Sequence, residues 1–204
     1  MSASTPLTTT LVGEFVDLRP LATSDAELTF GWRQSARAML LNKGAATVGQ
    51  QASWIASRPA SEYNFVIQLK NGTPVGMLSL SGLDRVNSHA EPGRFLIGDE
   101  DAVRGIPVAA EAMLLLYGLA FDTLGLHRVF GTVASDNTRM IKWQLYMGMS
   151  EEGRLRDHYF INGHYQDAVC FGLLEPDYRR RALPRLRAMV AAGRVRVAQP
   201  SSNG

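Results

Sequence analysis

The chain has 204 residues, of which 46% are apolar and 20% are charged, and its formal net charge is +2. This composition is typical of a globular domain with a full-sized core, and so small a net charge does not indicate a nucleic-acid partner. The single cysteine, Cys170, excludes an internal disulfide and a zinc cluster, and no metal site is predicted.

The first ten residues, MSASTPLTTT, contain neither a basic segment nor an apolar segment, so no signal peptide is predicted. No apolar run approaches the roughly 18 residues of a membrane helix. We therefore expect a cytoplasmic protein without a membrane partner. The expected organisation is a flexible N-terminus over residues 1–12, one domain over residues 13–175, and an arginine-rich helix and tail over residues 176–204.

The first half of the chain predicts one strand, two helices and three further strands. They cover residues 13–21 (strand), 24–40 and 48–57 (helices), and 63–69, 74–83 and 89–98 (strands). Ser24 is the expected cap of the first helix. Asn71-Gly72 between alternating apolar residues is a strong hairpin signal, and Pro92 predicts a bulge or an interrupted ladder in its strand.

The second half predicts two helices that alternate with strands. A helix from Val108 to Leu124 ends at Gly125 and a strand covers residues 127–133. A helix over residues 137–148 and two strands joined by Asn162-Gly163 follow. The whole order predicts a mixed α/β domain, with a largely antiparallel sheet, flanking helices and one central strand–loop–helix unit.

The C-terminal segment is basic. From Glu175 onward the chain has seven arginines against Glu175 and Asp177, a local charge of +5. Apolar residues at helical spacing (Leu183, Leu186, Met189 and Val190) predict an amphipathic helix with a solvated basic face. Contact of that face with RNA, acidic lipid or a partner subunit is the alternative.

The stretch VRGIPVAAEAM at residues 103–113 has the strand–loop–helix order that seats a phosphate on a helix N-terminus. Pro107 stands where glycine would be comfortable and lacks an N–H, but its fixed φ suits the first helical position. The N–H groups of Gly105, Ile106, Val108 and Ala109 are expected to remain as donors. Losing one amide–phosphate bond costs about 1–2 kcal/mol, or roughly tenfold in affinity.

Several motifs together resemble the GNAT superfamily of acetyl-CoA-dependent N-acetyltransferases. They are LGLHR, the SDN before the next helix, EEGRLRD and FINGHYQD, and the similarity spans roughly residues 13–175. The branch that they resemble holds ribosomal-protein, spermidine and nucleotide-amino-sugar N-acetyltransferases. The resemblance implies a GNAT-like fold, with acetyl-CoA as co-substrate and direct attack by a primary amine in a ternary complex.

The resemblance also implies which residues bind coenzyme A. A backbone N–H near Leu96 and Ile97 faces the thioester oxygen, and Asn137 holds the pantetheine amide. Arg139 and Lys142 either reach the phosphates or form an exposed helix face. The phosphate loop falls on Arg104, Gly105, Ile106, Pro107, Val108 and Ala109.

Glu91 is the candidate base, because similar enzymes use a carboxylate in this region, often through a water; Asp84 and His89 are weaker candidates. Gln144 stands where many relatives carry a tyrosine acid, and a glutamine cannot protonate a thiolate at neutral pH. The general acid therefore stays open, with water as one candidate.

The acceptor is expected over the sheet, near Trp32, Arg33, Trp54, Tyr159 and Tyr165. An amino sugar, a polyamine and a protein N-terminus all remain open as the amine. Two other functions are also open: a non-catalytic acyl-CoA-binding protein, and a ribosome- or RNA-associated factor that uses the arginine-rich tail. The tail helix or the last strands are candidates for pairing two subunits as a homodimer.

Overall fold

The computed structural model describes residues 9–35, 38–39, 41, 44–59 and 61–198, with side chains as far as Arg194. The strands are β1 (Leu11–Val12), β2 (Val16–Pro20), β3 (Tyr63–Leu69), β4 (Pro74–Asp84), β5 (His89–Ile97), β6 (Arg128–Ala134), β7 (Ser150–Ile161) and β8 (His164–Leu174). The helices are α1 (Ala26–Gln34), α2 (Val48–Ala56), α3 (Val108–Tyr117), α4 (Thr138–Tyr146) and the C-terminal helix (Leu183–Ala198).

The eight strands form one sheet in the order β1-β2-β3-β4-β5-β6-β8-β7. Every neighbouring pair is antiparallel except β5 and β6, which run parallel. The predicted mixed α/β fold with a largely antiparallel sheet is therefore confirmed.

The helices cover both faces of the sheet. The larger core cluster joins strand residues such as Phe65 and Val129 to α3 and the C-terminal helix, where Leu116 and Leu186 are fully buried. A smaller cluster on the other face packs Trp32 of α1 against the central strands. Among the described residues, no helix has both the length and the apolar character needed to span a membrane.

Turn residues end the elements where the sequence predicts. Asn162 and Gly163 have φ of 53° and 84°, as a two-residue hairpin requires. Gly125 and Gly148 follow their helices with φ of 64° and 95°. The Asn137 side chain caps α4 by accepting the Met140 N–H at 3.2 Å.

Several details differ from the expectations. Helix α1 ends at Gln34 rather than residue 40, and Ser24 lies in a 3₁₀ turn while Asp25 takes the cap position. The bulge in β5 lies at Arg94, because Pro92 keeps its pairing with Leu80. Helix α3 continues from Gly118 to Thr123 as a π-helical turn. The N-terminus that was expected to be flexible spans residues 1–12. Residues 1–8 lie outside the described residues, whereas Leu11–Val12 pair with β2.

Candidate functional site

Strands β5 and β6 meet at one end only. Their ladder consists of His89 opposite Arg128 and Ala90 opposite Val129, and the two strands then diverge. The bulge at Arg94, whose φ is 52°, turns β5 further from a regular ladder. A cavity of about 250 Å³ lies along the opening, and we call it the cleft.

Glu91 is the acidic side chain among the described residues that line the cleft. Burial raises the pKa of its carboxyl above the usual glutamate range, and the charge of Arg94 opposes part of that rise. A carboxylate that is partly desolvated binds a proton more tightly than one in water, so Glu91 is suited to accept one.

Gln144 and Tyr159 reach the same cleft from different elements. Gln144 lies on α4, and its buried Oε1 has no hydrogen-bond partner among the described residues. Tyr159 lies on β7, and its hydroxyl is 2.6 Å from the Thr132 hydroxyl of β6. A hydroxyl that can donate a proton therefore lies on the wall of the cleft, although the α4 position itself carries a glutamine.

The turn before α3 keeps part of the expected set of donors. Gly105 has a φ of 80°, and Pro107 is the cap residue rather than the first helical residue. The N–H groups of Ile106 and Val108, which were expected to be available to a ligand, donate to the carbonyls of Val103 (3.0 Å) and Ile106 (2.9 Å). This leaves Gly105 and Ala109 as donors from the expected set.

The Pro107 ring packs against the C-terminal helix. Gly193 is buried there, and a Cβ added to it would lie 2.6 Å from Pro107 Cδ. The next residue, Arg194, forms a two-pronged ion pair with Glu14, at 2.7 Å from Nε to Oε2 and 2.5 Å from NH2 to the same oxygen. The tail that the sequence predicted as a solvated helix thus contacts the start of α3.

A buried carboxylate fixes the same end of α3 from within. Glu111 is 3% exposed and accepts the N–H groups of Glu14, Phe15 and Val16 at 2.7–2.8 Å. Its own N–H donates to the Pro107 carbonyl at 3.0 Å. The first turn of α3 is therefore tied to β2 and, through Glu14, to the C-terminal helix.

The other residues assigned to coenzyme A are spread around the cleft. Asn137 lines it, and its side-chain oxygen is used by the α4 cap, which leaves its NH₂ group as a donor. Leu96 and Ile97 pair with β4, so β5 carries its unpaired backbone edge on the side of the cleft. Arg139 and Lys142 lie on exposed positions of α4, with the Arg139 side chain 80% exposed. The Arg104 side chain pairs with Asp101 at 2.6 Å.

The residues assigned to the acceptor separate into two groups. Arg33 and Tyr159 line cavities that adjoin the cleft. Trp32 does not line these cavities; its ring packs in the smaller core cluster and against Gly98. Tyr165 is 65% exposed and its ring contacts Phe160 on the outer hairpin, because it follows the turn at Asn162-Gly163.

The weaker base candidates lie outside the cleft. Asp84 accepts the N–H groups of Val86 and Asn87, both at 2.8 Å, so it stabilises the β4–β5 turn. His89 lies 3.8 Å from Asp84 and packs its ring edge-on against Phe130.

Sequence reasoning missed three residues of this site. Arg94 lines both the cleft and an adjoining cavity, Thr132 contacts Tyr159, and Trp143 stacks on Phe95 across the cleft with ring centroids 6.5 Å apart. The signal available for Arg94 was its place two residues after Pro92 in a strand with a predicted bulge. Thr132 and Trp143 carried no signal that distinguishes them from ordinary packing residues.

Curated relatives are similar to parts of this chain. YdaF of Bacillus subtilis (strain 168), a proposed ribosomal N-acetyltransferase, is 37% identical over 110 residues, which are 54% of this chain and 58% of YdaF. The spermidine N(1)-acetyltransferase of Escherichia coli (strain K12) is 29% identical over 118 residues, 58% of this chain and 61% of the relative. The chain thus spans about three fifths of the length of these relatives.

Solved structures share the fold. A GCN5-related N-acetyltransferase from Brucella melitensis superposes with a TM-score of 0.72 at 23% identity, covering 93% of this chain and 86% of the other. A chimera that contains a Vibrio cholerae spermidine N-acetyltransferase gives 0.74 at 22% identity, covering 82% of this chain and 100% of the other. The family model of the acetyltransferase (GNAT) domain matches residues 16–150, and the chain therefore belongs to the GNAT acetyltransferase family.

Proposed function

We propose that this protein is an acetyl-CoA-dependent N-acetyltransferase that acts on a primary amine of a small molecule or a peptide. We assign the activity to residues 13–175. The observation that carries the proposal is the cleft, since it joins a partly desolvated carboxyl, Glu91, to the Tyr159 hydroxyl between two diverging strands. A closed sheet would leave no room for a ligand at this point.

The residues present fit acetyl-CoA, which would supply an acetyl group activated as a thioester. Gly105 and Ala109 would donate their N–H groups to the pyrophosphate, with support from the positive end of α3. The Asn137 NH₂ group would hold the pantetheine chain, and the unpaired edge of β5 near Leu96 and Ile97 would donate to the thioester oxygen.

The chain's own acid–base groups divide the proton movements. An amine attacks only when it is neutral, so Glu91 would take its proton, directly or through one water. The Tyr159 hydroxyl would return a proton to the departing sulfur, since a phenol can act as a general acid. Gln144 lines the same cleft as a hydrogen-bonding group and cannot replace that donor.

Contacts of the tail favour a bracing role over a role in binding RNA. Arg179 pairs with Asp122 and Glu175, Arg180 pairs with Asp177, and Arg194 pairs with Glu14. Of these carboxylates, Asp122 and Glu14 lie outside the tail and offset part of the positive charge that would attract phosphates.

The proposal is tested by incubating the protein with acetyl-CoA and a panel of amines while released thiol is measured. Amine-dependent thiol release, with the acetylated amine identified by its mass, is the expected result. Thiol release that does not depend on any amine, or acetyl-CoA binding without release, would support the non-catalytic alternative instead.

A further inference from the structure

Two further cavities adjoin the cleft on its acceptor side and share lining residues with it. The second cavity, about 510 Å³, is bordered by Arg33, Trp54 and Arg94, and it shares Arg94 and Leu41 with the cleft. The third shares Arg33 and Leu41 with the second and Tyr159 with the cleft. We call the joined space the acceptor groove; it leads from Glu91 to Arg33.

The acceptor groove is basic. Among the described residues that line it, the arginines are Arg33 and Arg94, and the carboxylate is Glu91. A site that binds a polycation needs several carboxylates, because each ammonium group must exchange its hydration for an opposite charge. The acceptor groove instead has more arginines than carboxylates among these lining residues.

Nearby acids do not reverse this balance. Glu62 pairs with Arg94 at 3.2 Å and with Arg58 at 3.6 Å, so one carboxylate serves two guanidinium groups. Both guanidinium groups also lie over the Trp54 ring, at 5.2 Å and 4.6 Å from its centroid. The positive groups are thus held by packing as well as by charge.

Arg33 is partly buried. Burial lowers the pKa of its guanidinium, and the charge of Arg94 lowers it further, so the two cations are close enough to repel each other. An arginine stays protonated even so. A bound oxyanion would relieve this repulsion, and guanidinium groups bind carboxylate and phosphate with two parallel hydrogen bonds.

We infer that the acceptor is a small amine that also carries an oxyanion, either a phosphate or a carboxylate, which Arg33 and Arg94 bind while the amine lies at Glu91. This inference rests on the proposed function. It sets the acceptor apart from spermidine, the substrate named for some of the relatives.

Matched pairs of acceptors test the charge requirement directly. Glucosamine and glucosamine 6-phosphate differ in the phosphate alone. Putrescine has an ammonium group at each end, and in γ-aminobutyrate a carboxylate replaces one of them. We expect kcat/KM to be higher for the anionic member of at least one pair, by about tenfold or more. The pair that responds identifies phosphate or carboxylate as the preferred group.

Equal or better use of the amine without the oxyanion in both pairs would overturn the inference while leaving the proposed function intact. Absence of transfer to both anionic amines would also overturn it. If acetyl-CoA binding is absent as well, the proposed function falls with it, so the two failures are distinguishable.

Two variants assign the effect to the groove. In Arg33→Gln the ratio of kcat/KM values between the anionic and the other amine is expected to fall by about tenfold, with a smaller fall in Arg94→Gln. The control is Arg85→Gln, the same change at an exposed position of the β4–β5 turn. Because Arg33 is partly buried, thermal unfolding confirms that each variant is folded. An unchanged ratio in both folded groove variants would contradict the assignment.

Discussion

The role proposed for the Glu91 carboxyl depends on the surroundings of that strand position. The carboxyl borders the cleft because β5 and β6 diverge after Ala90, the residue before Glu91. Burial raises the pKa of this carboxyl and the charge of Arg94 opposes part of that rise, so the group is more basic than an ordinary glutamate. Both effects suit proton transfer from an amine.

Glu91→Gln should lower kcat/KM for the amine by about 10²–10⁴-fold, because the isosteric amide cannot accept a proton. The affinity for acetyl-CoA should stay close to that of the wild type. The wild-type pH–rate profile should have an acidic limb above the usual glutamate range, and the variant should lose that limb. Glu27→Gln, at an exposed position of α1, is the control, and an equal loss there would argue against a specific role for Glu91.

Tyr159→Phe tests the proton donor. Removing the hydroxyl should lower kcat by about 10- to 100-fold while the KM for acetyl-CoA changes little. Tyr165→Phe on the same hairpin is a matched control, because that ring is exposed and contacts Phe160. A kcat for Tyr159→Phe equal to that of the wild type would assign the proton to water instead.

Asp25 gives a prediction about stability and pH. Burial would raise the pKa of its carboxyl, but the Arg19 guanidinium at 2.9 Å and the Ala22 N–H outweigh burial and lower it. A group whose pKa is lower in the folded state stabilises the protein above its unfolded pKa of about 3.9, and this contribution is lost as the pH falls through the folded value.

Asp25→Asn should therefore lower the free energy of unfolding at pH 7 by about 1.5–3 kcal/mol. The difference from the wild type should shrink in denaturant titrations as the pH falls below about 4. Asp101→Asn, which alters a highly exposed pair with Arg104, should change stability by less than about 0.5 kcal/mol. A deficit for Asp25→Asn that is the same at every pH would refute the electrostatic explanation.

At the scale of elements, the start of α3 is held by three contacts. The Glu111 carboxylate ties it to β2, the Pro107 ring packs on Gly193, and Arg194 links the C-terminal helix to Glu14. Pro107 lacks the backbone N–H that another residue would offer in this turn, but its ring also supplies the surface on which the C-terminal helix rests. The C-terminal helix and the turn are therefore coupled through one small contact.

Gly193→Ala tests this coupling. In an ordinary helix the change would stabilise by about 1 kcal/mol, but here the new methyl would collide with Pro107. We expect a lower unfolding temperature and about a tenfold higher Kd for acetyl-CoA. Both effects should be much smaller when Gly193→Ala is introduced into Pro107→Gly, which lacks the ring. Ala192→Gly is the control for changes in helix propensity, and fully additive effects of the two substitutions would contradict the coupling.

Across the whole molecule, local signals predicted the elements and non-local pairing decided the site. Asn71-Gly72, Gly125 and Asn162-Gly163 mark turns by their own conformational preferences, so the order of strands and helices could be read from the sequence. The divergence of β5 from β6 depends on residues far apart in the chain, and no short pattern encodes it. Tertiary packing likewise decides that the Trp32 ring is buried in the core and does not line a cavity.

The roles predicted for single residues also divide into those with a local signal and those that depend on non-local contacts. The family motif predicts a phosphate-binding turn before α3, and a turn lies there in the structure, but hydrogen bonds inside it use two of the expected donors. Tyr159 was assigned to the acceptor, and its contact with Thr132 became visible only when β7 and β6 were brought together in the sheet.

Calorimetric titration of acetyl-CoA tests the central claim most directly, namely that the turn before α3 and the cleft form a cofactor site. We predict micromolar binding by the wild type. Ala109→Asp should bind at least tenfold more weakly, because it places a carboxylate among the phosphate donors while remaining favourable at a helix N-terminus. Ala192→Asp, the same change on an exposed position of the C-terminal helix, should bind like the wild type. No heat of binding from the wild type, or equal affinity in Ala109→Asp, would contradict the claim.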